Sequence, residues 1–117
     1  MGRITTHILD TSIGLPAANV RVQLARVRDE QRELLFDQST SADGRFAAPL
    51  LQGQDMIRGC YELRVFAGEY FRQRGVALTE PPFLDQIVIA LGIAASEQHY
   101  HVPLLLTPWS YAVYRGG

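Results

Sequence analysis

The stretch His99-Tyr-His-Val-Pro-Leu-Leu-Leu106 alternates in character with a period of two, the pattern of a strand with two unlike faces. Successive strand side chains point to opposite sides, so Tyr100, Val102, Leu104 and Leu106 make the better core face. His99, His101, Pro103 and Leu105 make the other. The strand stops at Thr107-Pro108, and a second one follows in a tail crowded with Trp109, Tyr111, Tyr114 and Arg115. A lone sandwich would turn the histidine face to water. Leu105 and the aromatic tail beside it imply instead that something covers that face. Pro103 cannot donate to a strand ladder, so it belongs at a bulge or against an unpaired side.

The same alternation recurs upstream. Arg3 to Leu9 sets Ile4 and Ile8 against Thr5, His7 and Leu9, and Val20 to Val27 sets Val20, Val22 and Leu24 against Arg21, Gln23 and Ala25. Further strands are expected over Leu34 to Ser41, Cys60 to Phe66 and Phe83 to Ala94. Between them lie turn-rich Asp10 to Pro16, a charged hairpin connection from Arg28 to Glu33, and Ser41-Ala-Asp-Gly44, where glycine can supply a positive φ. Arg45 follows that turn directly, so the turn sets its position. Ala67 to Arg74 has helix formers and ends at Gly75, which predicts two marginal helical turns on the sandwich edge. Seven or eight short strands with one small helix describe an all-β, antiparallel sandwich, a single domain over residues 1–117.

Composition narrows the function. A length of 117 residues suffices for one core without disulfide staples. The formal net charge of −1 argues against a nucleic-acid partner, which needs a clustered positive face. All 11 basic residues are arginine, so lysine chemistry is excluded while bidentate recognition of carboxylate or ureide-like groups is well supplied. Cys60 is the only cysteine, which forbids an intrachain disulfide and is read as core or sheet filler. With no apolar leader or membrane span in view, the expectation is a cytoplasmic protein.

Three residues combine chemistry with placement: His7 and His101, mid-strand and away from the core face, and Arg45 after its turn. Neutral histidine can take a proton from water, and arginine can bind an anionic or carbonyl-rich substrate. The plainer reading makes all three ordinary surface residues. His99-x-His101 could be half a metal site, with His7 as a third ligand, but no acidic residue has matching spacing. Ser110 and Thr6 lack the elbow sequence of a serine nucleophile. Asp10 could orient a histidine or simply make its turn.

Four blocks in order carry a resemblance: Ile4-Thr-Thr-His-Ile-Leu-Asp10 with Gly14-x-Pro-Ala17, then Asp43-Gly-Arg-Phe46, then His99 to Tyr111, then Tyr114-Arg-Gly116. Together they resemble the 5-hydroxyisourate hydrolases, the transthyretin-related enzymes of urate breakdown. The resemblance implies a transthyretin-like sandwich of two four-stranded sheets, assembled as a homotetramer (a dimer of dimers) with active sites in the clefts between dimers. It implies catalytic roles for His7, Arg45 and His101, and a substrate-lining tail of Tyr114, Arg115 and Gly116. The implied reaction opens 5-hydroxyisourate to 2-oxo-4-hydroxy-4-carboxy-5-ureidoimidazoline with no metal or organic cofactor. Where the family pattern ends in serine, Gly117 stands here. The alternative is a small-ligand carrier like transthyretin, which has Lys, Glu and Thr at the positions of His7, Arg45 and His101.

Overall fold

The computed structural model describes residues 1–117, which form two packed β-sheets and one short helix. The first sheet is built on β1 (Arg3–Asp10) and β8 (His99–Leu106). β9 (Tyr111–Val113) flanks β8, while two-residue strands β2 (Leu15–Pro16) and β5 (Leu51–Gln52) pair with opposite ends of β1. The second sheet orders β4 (Gln31–Ser39), β3 (Arg21–Arg28), β6 (Gly59–Val65) and β7 (Ile87–Ile93). The expected sandwich is present. Its first sheet has five strands where the resemblance implied four, because β5 adds to the end of β1.

All pairings are antiparallel but one. β1 runs parallel to β8, in a register that sets Arg3 beside His99, Thr5 beside His101 and His7 beside Pro103. The alternation read from sequence holds in β1 and, apart from Pro103, which is buried on the outward face, in β8. Ile4, Ile8, Leu104 and Leu106 are fully buried against Val22, Leu24, Leu63 and Val65 of the second sheet, each such side chain contributing about 1.5–3 kcal/mol by leaving water. Pro103 sits inside a central strand. It accepts from the Tyr114 amide at a long 3.4 Å and has no N–H to return, so the ladder to the tail is loosened there and resumes where the Gly116 amide donates to His101 O at 2.7 Å.

Three local readings are corrected. The charged connection from Arg28 to Glu33 shrinks to a two-residue turn, Asp29 and Glu30, both at positive φ (47° and 68°) as a tight hairpin requires. Gln31, Arg32 and Glu33 instead belong to β4, where Arg26–Glu33 and Arg32–Glu62 ion pairs at 3.2 and 2.8 Å hold the charges on the outer face of the sheet. A register shift between Leu24 and Ala25 explains why these neighbours are both buried, against the strict alternation expected for β3. Cys60 is exposed at the start of β6 and fills no core space.

The helix α1 (Ala67–Gln73) is too short to persist alone and has no side-chain cap. It is tied down by Asp10, fully buried at the end of β1, whose carboxylate accepts from Tyr70 O–H at 2.8 Å, Arg74 N–H at 2.7 Å and the Ser12 amide at 3.0 Å. Burial, with the carboxylate nearby, pushes the Tyr70 phenol up to about 12. Asp10 therefore makes the turn and anchors the helix, and orients no histidine. No helix is long and apolar enough to cross a membrane. Asp10→Ala, which leaves Arg74 and Tyr70 without their acceptor, is expected to lower unfolding free energy by about 3 kcal/mol in urea titrations, whereas Glu80→Ala, on a largely exposed pair with Arg72, should change it by less than about 1 kcal/mol.

Candidate active site

The parallel pairing of β1 and β8 puts odd-numbered residues of both strands on one face, so the three histidines of the chain converge outside the core. Arg45 reaches this face by a separate route. The turn Ser41 to Arg45 is closed on itself: the Ser41 amide donates to Arg45 O at 2.9 Å, and Asp43 Oδ1 accepts from Ser41 O–H at 2.7 Å and from the Arg45 amide at 3.0 Å. Those donors hold the Asp43 carboxyl below its usual range. The turn is then clamped to β1, since the Ile8 amide donates to Gly44 O at 2.9 Å and His7 Nε2–H donates to Asp43 O at 2.8 Å. Gly44 has φ +76°, and a Cβ there would stand 2.3 Å from Ile8 O. Only glycine lets the turn lie this close to the strand.

The carbonyl of Asp43 can only accept, so the His7 proton is fixed on Nε2 and Nδ1 is its free nitrogen. Thr5, between His7 and Arg3 on the same face, has its hydroxyl 2.7 Å from His101 Nδ1 and 2.7 Å from His99 Nε2. Both imidazoles thus turn a nitrogen toward one oxygen, and no group of three or more His, Cys, Asp or Glu side chains is spaced to hold a metal ion. Partial burial, followed by the positive charges of His99, Arg45 and His7, lowers the pKa of His101, while burial and Arg3 lower that of His99. Both shifts favour the neutral imidazole, and in His101 the bond to Thr5 occupies Nδ1 and leaves Nε2 on the far side of the ring.

A cavity of about 380 Å³ opens over this cluster, lined by Arg3, Thr5, Arg45, His99, His101 and Gly117 together with the segment Phe46 to Leu50. Its charged side chains are all basic. Gly116 packs against His101, and a Cβ on Gly116 would come within 2.8 Å of His101 Cδ2. The sequence-predicted residues divide here. His7, Arg45, His101 and Gly116 meet at this face, whereas Arg115 lies on the other side of β8, its guanidinium 4.0 Å above the Tyr100 ring and bonded to Gln98 Oε1 at 3.0 Å. Tyr114 and Arg115 border a second, apolar cavity beside β7. Thr6 and Ser110 have structural bonds, to Val102 O and to Thr107. Sequence reasoning passed over Thr5 and Arg3, whose place depends on β1 lying next to β8.

Residues 4–116 match the HIUase/Transthyretin family. The chain belongs to this family. Among its relatives, the 5-hydroxyisourate hydrolase of Pseudomonas aeruginosa is 51% identical over 116 residues, covering 99% of this chain and 92% of that one. Among solved structures, Klebsiella pneumoniae 5-hydroxyisourate hydrolase superposes with a TM-score of 0.83 at 32% identity over the full length of both chains. An (S)-allantoin synthase superposes at 0.93 with 42% identity, this chain spanning 99% of its own length but 44% of that protein. Sea bream transthyretin in complex with thyroxine superposes at 0.85 with 25% identity, covering 97% of this chain and 94% of that one.

The lowered His101 pKa should appear as an NMR titration midpoint below the ordinary value of about 6.5. Arg45→Gln, which removes one of the positive neighbours, should move that midpoint upward. The folded chain binds this proton less readily than the unfolded chain, so the linked stability is present above about pH 6.5 and declines as pH falls through that value toward the folded pKa. Gly116→Ala should shift the His101 ring resonances while leaving the far-UV circular dichroism unchanged.

Proposed function

We propose that this chain is a 5-hydroxyisourate hydrolase, opening the six-membered-ring amide of its substrate to give 2-oxo-4-hydroxy-4-carboxy-5-ureidoimidazoline. The observation that carries the reading is the cavity whose charged side chains, Arg3, Arg45, His99 and His101, are all basic, with His7 clamping the turn that carries Arg45, in a chain whose near-full-length relatives bear that enzyme's name. The cavity volume is at the small end of the range for ligand sites and suits a compact, carbonyl-rich heterocycle.

In this reading His101 Nε2 is the general base. It removes a proton from water as the oxygen adds to the ring carbonyl, and Arg45 binds the oxyanion that develops. The C–N bond then breaks, and the proton on His101 passes to the departing nitrogen. His7, its Nε2–H committed to Asp43 O, offers Nδ1 as an acceptor for a substrate N–H and so orients the ring. Catalysis in this form uses no metal or organic cofactor. A cytoplasmic setting accords with the single, exposed cysteine.

A homotetramer belongs to the same proposal. β7 and β9 are free edges of their sheets, and Val88, Tyr111, Val113 and Tyr114 along them are exposed. Unpaired edges of this kind invite a second copy. Ile13, Leu15 and Trp109 add apolar surface that one chain does not cover. In such an assembly a neighbouring subunit would close the histidine face beside Gly116, and Tyr114 and Arg115 would meet it at the apolar cavity next to β7. The carrier reading has the sea bream transthyretin fold in its favour, but two histidines and two arginines around one small cavity suit water activation better than an aromatic ligand.

The test is to generate 5-hydroxyisourate with urate oxidase and follow its ultraviolet decay. Wild-type protein should accelerate the decay; an unchanged rate would refute the enzyme. His101→Asn is expected to lower kcat by about 10²–10⁴-fold, and Arg45→Gln by about 10²–10³-fold. Size-exclusion chromatography with light scattering should give four times the chain mass.

A further inference from the structure

The Thr5 hydroxyl has one proton and two imidazole partners, and that count constrains the whole face. When Thr5 donates to His99 Nε2, it accepts from His101 Nδ1–H, and His101 Nε2 is left as a bare lone pair aimed at the cavity. When Thr5 donates to His101 Nδ1, the proton of His101 must sit on Nε2, and His99 Nε2–H donates to Thr5. The two rings therefore cannot choose tautomers independently. Their centroids are 6.0 Å apart, too far for a direct bond, so the hydroxyl is the link.

We infer that Thr5 is a positioning residue that couples His101 to His99, setting His101 as a base in one state and an acid in the other, with His99 as the exposed terminus that receives the proton. The inference rests on the hydrolase reading above and deepens it. The proton balance is complete. A water O–H bond breaks as His101 Nε2 gains its proton; His101 Nδ1–H passes to Thr5, and the Thr5 proton passes to His99 Nε2. His101 and Thr5 end neutral, His99 ends as an imidazolium, and the hydroxide oxygen is on the substrate. When the ring nitrogen departs, it takes the proton on His101 Nε2, and the two transfers run backward to restore the starting state.

The surroundings favour this division of labour. His101 is half-buried and faces His7 from β1 and Arg45 from the turn, both positive or able to become so, whereas His99 is exposed to water. Arg3 faces His99 from β1, and Arg115 from the tail donates to His99 O at 3.4 Å, so His99 is held in place while its ring is hydrated. A charge on His101 would be held among cations with little water. On His99 it is solvated, and the relay keeps it there during bond breaking.

Thr5→Val keeps the β-branched shape on β1 and removes the hydroxyl; Thr5→Ser keeps the hydroxyl. Both are compared with wild type by long-range ¹H–¹⁵N spectra of the histidines and by kcat and KM for 5-hydroxyisourate. In wild type at neutral pH the ¹⁵N shifts should place the His101 proton on Nδ1. Thr5→Val should move it to Nε2 and lower kcat about tenfold or more with KM within about twofold, while Thr5→Ser restores both signatures. His99→Asn should lower kcat similarly, with little additional loss on top of Thr5→Val. An unchanged His101 tautomer in Thr5→Val overturns the relay whatever happens to kcat, as does an unchanged kcat. If wild type fails to hydrolyse 5-hydroxyisourate, the function is refuted, and the tautomer comparison alone then decides whether Thr5 couples the rings.

Discussion

One parallel pairing, β1 with β8, determines what the outer face of this sandwich can do. In an antiparallel pair, residues near the start of one strand meet those near the end of the other. Here the starts of both strands run together, so Arg3, Thr5 and His7 stand in order beside His99, His101 and Pro103. The same hydrogen-bonded register that buries Ile4, Ile8, Leu104 and Leu106 on one side gathers the three histidines on the other. A one-residue slip would exchange the two faces, so the core that stabilises the domain also enforces the geometry of the site.

Alternation in Arg3–Asp10 and His99–Leu106 was enough to read both strands, their faces and the outward direction of His7 and His101, because period two is a local property. The Asp43-Gly44 turn was equally legible, since Gly44 needs its positive φ locally. What stayed hidden was adjacency. Nothing within either segment states that β1 and β8 are neighbours 96 residues apart, so Thr5 could not be seen as the oxygen shared by His99 and His101. The same limit explains Cys60 and the β3–β4 hairpin: Cys60 begins an apolar-looking strand but lies at its exposed start, and Gln31 to Glu33 look like loop until their ion pairs across β3 and β6 are known. Arg115 follows the site-lining block in sequence yet stacks on Tyr100, because Pro103 loosens the ladder and the tail alternates past it.

The two sheets have different outer surfaces. On the second, Arg21–Asp37 and Arg26–Glu33 pair charges between β3 and β4, Arg32–Glu62 spans β3 from β4 to β6, and Arg64–Glu62 lies within β6. Pairs of this kind contribute little stability where they are exposed, and the large apolar side chains exposed on this sheet are Leu34 of β4 and Val88 of β7. The first sheet concentrates unpaired Arg3 and Arg45 near the histidines and exposes Trp109, Tyr111 and Tyr114 nearby. The basic cavity therefore lies on the first sheet while exposed apolar side chains occur on both, and Asp10 and its partners brace the helical edge.

Both histidines to which we assign roles are bordered by a residue with no side chain: Gly44 lies against His7, and Gly116 against His101. Any missense change at either position adds at least a Cβ, 2.3 Å from Ile8 O in one case and 2.8 Å from the His101 ring in the other. Neither position has a smaller or gentler substitute, so neither can drift neutrally while the ring beside it keeps its place. At Gly116, outside the sandwich core, a single base change would therefore press on the His101 ring without touching the packing that holds the fold.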